Sequence, residues 1–232
     1  MRLSCWIVAY AFTAVLAGAA GAQPRDPNWV TCTGDTDNDN VLIRACLAIV
    51  QAKDRSDEDR AIAFKNLCLG YNNRGDHQNA IRACDSAIAL RPDYTDAFIS
   101  RGHAYLNNLD YERAIVDYTQ AITLGSEAPT TLVQRAAAYH KSGDDLHAID
   151  DLNQAISRDP SDATAFYLRA VCYQAQKDND HALADYGQAV QLAPHFADAF
   201  WRRGHLKKDM GDVKAGDADI ARARSIDPRL SK

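Results

Sequence analysis

The chain has 232 residues, with 31 acidic and 26 basic side chains and a formal net charge of −5; 47% of its residues are apolar and 25% are charged. That composition suits a folded soluble protein and excludes collagen, bulk disorder and a multi-span membrane protein. The acidic balance argues against nucleic acid as a partner, because such affinity rests on clustered Lys and Arg.

The first predicted element is a leader. Arg2 is the only charged residue before Arg25, an apolar run extends from Leu3 to Ala20, and Ala20-Gly21-Ala22 supplies a small-x-small exit. These features read as a signal peptide over residues 1–22, cleaved near Ala22, which places the mature protein in the periplasm or outside the cell. The same run is long enough to span a bilayer, so an uncleaved anchor is the competing reading. Cleavage leaves no integral membrane span, a net charge of −6 and five Cys in an oxidising space where disulfides persist.

Residues 23–60 read as an N-terminal arm and a capping helix from Asn40 to Ala52. Within it Ile43-Arg44-Ala45-Cys46 echoes Ile81-Arg82-Ala83-Cys84 further on. Cys32 and Cys46 flank the polar turn and are a candidate disulfide that would staple the arm to this helix. The turn, Asp35-Thr36-Asp37-Asn38-Asp39-Asn40, starts like a calcium loop. It then puts Asn40 where Gly is needed and Cys46 where a bidentate Glu is needed, so it reads as a solvated helix cap.

From Ala61 onward the chain repeats every 34 residues. Ala80, Ala114, Ala148 and Ala182 share one register; Ala87, Ala121, Ala155, Ala189 and Ala223 share another; Asp76, Asp110, Asp144, Asp178 and Asp212 share a third. Tyr71, Tyr105, Tyr139 and Tyr173 follow the same period, as do Pro92, Pro160, Pro194 and Pro228. Counting Ala61 as position 1 gives units 61–94, 95–128, 129–162, 163–196 and 197–230. In each, the i, i+3, i+4, i+7 stripe at positions 4, 7, 8 and 11 predicts an amphipathic first helix. A Gly-containing turn and the Asp series follow, and apolar positions 20, 21, 24, 27 and 28 predict a second helix. Small residues at positions 8, 20 and 27 let the helices approach, and bulky ones at 4, 11 and 24 fill the space beside them. The fifth unit is polar where a sixth would dock (Asp217, Arg224), as a terminal cap should be.

This pattern resembles the tetratricopeptide repeat family, over residues 61–230, in a bacterial subtype with Arg-Gly or Arg-Ala in the first helix. The resemblance implies an all-α, right-handed superhelical solenoid of antiparallel helix pairs, with a concave groove that binds a peptide or protein surface. It places the partner-binding wall on the first helices: Lys65, Ile99, His103, Val133, His140, Tyr167, Val171, Trp201 and His205, with Tyr167 and Trp201 as rigid aromatic anchors. The chaperone-type carboxylate clamp is not expected, since Leu69 and Thr130 stand where its Asn and second Lys belong.

Two substitutions in the array are matched. Position 7 holds Leu67 in the first unit and Arg101, Arg135, Arg169 and Arg203 in the rest; position 23 holds Ala83, then Asp117, Asp151, Asp185 and Asp219. Either each Arg pairs with the Asp of its own unit, or both series face water. The first unit alone has Cys68 at position 8 and Cys84 at position 24, which reads as a disulfide or as two buried thiols; Cys172 is left over as a buried thiol.

No phosphate loop, nucleophile elbow or metal-protease helix is present, so no catalytic residue and no cofactor are assigned. His103 and His140, without a carboxylate or Cys in view, make too weak a set for a metal site. The expected function is therefore an exported protein–protein interaction scaffold whose partner stays unidentified. The alternative is a structural unit that self-associates end to end: residues 23–60 carry 5 basic and 8 acidic side chains, and residues 197–232 carry 9 and 6; a metal-binding module ranks behind both.

Overall fold

The computed structural model describes residues 26–34 and 36–231, so the segment read as a signal peptide lies outside the described residues. Twelve α-helices follow one another and no strand occurs among the described residues. The five units are five helix pairs: α3 and α4 (Asp57–Asn73, His77–Leu90), α5 and α6 (Thr95–Asn107, Tyr111–Thr123), α7 and α8 (Pro129–Ser142, Asp145–Arg158), α9 and α10 (Ala163–Ala175, Asn179–Leu192), and α11 and α12 (Ala197–Asp209, Val213–Ile226). Each helix packs on the next in sequence, and α3, α5, α7 and α9 also pack side by side, so the first helices form one continuous wall of an all-α superhelix.

The turn chemistry repeats with the sequence. Asp76, Asp110, Asp144, Asp178 and Asp212 each cap the second helix, their carboxylates accepting from the backbone N–H three residues on at 3.1–3.3 Å. That satisfies one of the amides a helix start leaves orphaned. The residue before each cap sits in the left-handed region, and Gly75, Gly143 and Gly211 suit it. Leu109 (φ 61°) and Lys177 (φ 64°) adopt it without that freedom.

The notches are as small as the period requires. Ala80, Ala114, Ala148 and Ala182 are fully buried, as are Ala87, Ala121, Ala189 and Ala223. Positions 8 and 24 meet across each pair. A Cβ on Gly102 would come within 2.8 Å of the Tyr118 ring, and one on Gly204 within 2.8 Å of Ile220. Where both positions are Cys, the Cα atoms of Cys68 and Cys84 stand 5.4 Å apart and their sulfurs lie at bonding distance.

The N-terminal region contains more than an arm and one helix. α1 (Pro27–Thr33) precedes α2 (Asp39–Gln51) and packs on both α2 and α3. Its start signals are local: Asp26 accepts from the Asn28 N–H at 2.8 Å, and Pro27 occupies the first turn, where a missing N–H costs nothing. The sulfurs of Cys32 and Cys46 are 2.10 Å apart, Asn66 donates to the Cys32 carbonyl at 2.7 Å, and Arg55 pairs with Asp26. Asn38 accepts from the Asn40 and Val41 amides at 3.1 and 3.2 Å, so the polar turn caps α2. No helix of the described residues is long and apolar enough to cross a membrane.

Candidate protein-interaction groove

The wall of first helices is held in place by a ladder of ion pairs. Arg101, Arg135, Arg169 and Arg203 each grip the Asp of their own unit through Nε and Nη2, at 2.7–2.8 Å. Asp117, Asp151, Asp185 and Asp219 are only 3–8% exposed. The water-facing reading of these two series is therefore excluded. The remaining guanidinium nitrogen, Nη1, reaches back to position 25 of the preceding unit: Asp85 at 2.6 Å from Arg101, Thr119 at 3.0 Å from Arg135, and Asn153 at 2.7 Å from Arg169. Arg101, Arg135 and Arg169 thus each tie three helices and two units. In the fourth unit position 25 is Gly187, which offers no side chain, and Lys207 joins Asp219 at 2.8 Å instead. Burial pushes the Asp117 carboxyl up despite Arg101. Burial also acts on Asp219, but its two cations outweigh it and hold that carboxyl below the usual range.

A cleft on the wall opens between α9 and α11. It has a volume of about 450 Å³ and is lined by Tyr167, Gln174, Asp198, Trp201, Arg202 and His205, with Leu230 at its end. Tyr167 wedges against Phe196, ring centroids 4.7 Å apart, and accepts from Arg202 Nε at 2.9 Å. Trp201 stands edge-on to His205 at 4.6 Å, with the Arg224 guanidinium 5.6 Å from the indole centroid. Aromatic faces, a fixed cation and a wet rim are the elements of a peptide-recognition surface.

Tyr167, Trp201 and His205 line this cleft, and His140, Val171 and Tyr167 line a smaller one beside it. The other residues assigned to the groove sit elsewhere. Lys65 and Ile99 lie on α3 and α5, and Ile99 packs against the N-terminal core. Val133 is 6% exposed and belongs to the core formed with Leu132, Ala136 and Ile149. His103 turns its ring edge-on to Tyr118 at 5.7 Å, and burial alone pushes its imidazole pKa down. Its Nε2 and the Tyr118 hydroxyl have no hydrogen-bond partner among the described residues. Arg202 was missed because position 6, which holds Asn66, Ser100, Gln134, Leu168 and Arg202, repeats no residue type.

The structure also gives His140 partners the sequence did not reveal. Its Nδ1 lies 2.5 Å from an Asp145 carboxylate oxygen, and Cys172 of the next unit completes a group whose ligand atoms all lie within 4.8 Å of one another. Burial first, and then the Asp145 charge, pushes the Cys172 thiol up to about 12.

The tetratricopeptide repeat family model matches residues 95–124, 129–162 and 163–196. No curated protein matches the sequence. Among solved structures, MamA 41-end from Desulfovibrio magneticus RS-1 superposes with a TM-score of 0.67 at 19% identity, covering 76% of this chain and 100% of that one. YrrB, described as a TPR protein with an unusual peptide-binding site, gives 0.59 at 20% identity over 74% and 89%. A tetratricopeptide repeat protein from Parabacteroides merdae gives 0.64 at 17% identity over 83% and 75%. Similarity at these identities is one of fold. The repeat sequence and the helix-pair geometry meet in the same units: residues 95–124 and 129–196 are tetratricopeptide repeats, and the chain has the tetratricopeptide repeat fold.

Proposed function

We propose that this protein is an exported protein–protein interaction scaffold, holding a partner segment in the concave groove with Tyr167 and Trp201 as anchors. The observation that carries this reading is the cleft between α9 and α11, where two aromatic side chains, Arg202 and His205 converge on one open space. A preformed groove binds without the cost of ordering itself, so affinity comes from burying apolar anchors and selectivity from the polar rim. The peptide-binding site named for YrrB is consistent with such a use of the fold. Affinity capture from the native envelope tests it. The wild type retains a partner that the Tyr167→Ala/Trp201→Ala variant loses; an unchanged partner set would count against the groove.

Export is part of the same proposal, resting on the leader pattern in residues 1–22. In an oxidising compartment the pairs Cys32–Cys46 and Cys68–Cys84 form disulfides, for which their Cα separations of 4.9 and 5.4 Å are suited. Thiol counting on protein isolated from the envelope returns one thiol per mature chain if both form. A second reading, end-to-end assembly, is favoured by the net charge of −3 at residues 23–60 against +3 at 197–232. Light scattering separates the two: a monomer at all concentrations removes it.

A further inference from the structure

His140, Asp145 and Cys172 come from three different helices. His140 is in the last turn of α7, Asp145 is the first residue of α8, and Cys172 lies in α9 of the following unit. They supply one nitrogen, one oxygen and one sulfur, and their ligand atoms lie within 4.8 Å of one another. The side chains of His140 and Asp145 are 23% and 17% exposed, whereas Cys172 is fully enclosed. His140 opens on the small cleft it shares with Val171, Gln174 and Arg202, and the enclosed sulfur lies behind it, within 4.8 Å of its ligand atom.

We propose that these three side chains bind one divalent transition-metal ion of the zinc class, linking the third and fourth units. The donor set is the mixed N, O, S kind that borderline-soft cations select, and it leaves a fourth position toward the groove for water or a partner's side chain. A tetrahedral zinc places its donors roughly 3.5 Å apart, so small rotations of His140 and Asp145 at the rim close the set on the fixed sulfur. The ion enters where the His140–Asp145 hydrogen bond now runs. Nδ1 passes the proton it shares with the carboxylate to Nε2 by way of solvent and becomes a ligand of the neutral imidazole, the carboxylate oxygen becomes a second ligand, and the Cys172 thiol releases one proton to solvent. Thiolate and carboxylate together neutralise the dication, which removes the charge mismatch of burying either alone. The same three residues do not make a nucleophile triad, because an enclosed sulfur meets no substrate.

The site has a built-in control. The position of Cys172 is Ala104 in the second unit and Ala138 in the third, both fully buried, so Cys172→Ala restores what its siblings carry and should fold. The experiment titrates cobalt(II) alone into metal-free full-length mature protein with its disulfides intact. The expected result is one equivalent bound with a sulfur-to-cobalt charge-transfer band and tetrahedral d–d bands. Cys172→Ala should abolish the charge-transfer band. Asp145→Asn and His140→Gln should weaken binding at least about tenfold. Zinc should raise the melting temperature of the wild type and not that of Cys172→Ala. Absence of the band in folded wild type would overturn the proposal, as would equal binding by Cys172→Ala. Cys172→Ser, which keeps the size of the side chain, provides the same spectroscopic comparison.

Discussion

At positions 7 and 23 the first full unit carries Leu67 and Ala83, whereas each of the next four carries an arginine gripping a buried aspartate. One residue further along the same helices, at positions 8 and 24, the first unit places two Cys where the others place a small residue against a Tyr, Leu or Ile. The first unit therefore joins its helices with an apolar contact and the proposed disulfide. The later units use a bidentate charge pair plus a size-matched notch. The two solutions differ in what they connect. A disulfide in the first unit joins only that unit's own helices, while Arg101, Arg135 and Arg169 also reach back to the preceding unit. The comparison teaches that the repeat requires a specific closure between its helices, and that more than one chemistry supplies it.

Breaking one side of a later pair should have the largest effect. Arg135→Leu strands Asp151, only 3% exposed, and should cost about 3–5 kcal/mol in urea unfolding. Adding Asp151→Ala recreates the Leu and Ala of the first unit and should recover most of that loss. No recovery would mean the pair is more than a local closure.

On the other side of the comparison, Cys68→Ala/Cys84→Ala opens a loop with a sequence separation of 16. It should cost about 3 kcal/mol under oxidising conditions and little under reducing ones. An equal effect in both would show that the thiols act only by packing.

The notch is tested by Gly102→Ala, whose new methyl would meet the Tyr118 ring at 2.8 Å. Overpacking should destabilise by about 1–3 kcal/mol, although Ala favours a helix by about 1 kcal/mol. The turn is tested by Leu109→Gly. The side chain is 72% exposed and the backbone left-handed, so this change should stabilise by about 1 kcal/mol.

The smallest effect concerns protons. Burial holds His103 below its ordinary pKa of 6.5, so the unfolded chain takes up that proton first as the pH falls. Its contribution is whole above pH 6.5 and declines below it. His103→Val, which borrows Val171 from the same position, should remove that part of the pH slope.

The amino-acid sequence by itself determined everything that recurs. The 34-residue period set the helix pairs, the Asp caps and the alanine notches, and the matched gain of Arg and Asp with the loss of Leu and Ala announced the ion pairs. A periodic pattern reports such features because each unit repeats the same local problem. α1 was legible too, in Asp26 and Pro27, but it repeats nothing and was passed over. Only the tertiary structure decided what occurs once. It showed that side chains of α9 and α11 line one cleft, that His103 turns toward Tyr118, and that His140 and Asp145 meet Cys172 from the next unit. Those contacts join residues with no counterpart in other units, and their distances follow from how whole helices pack, which no single stretch of chain encodes.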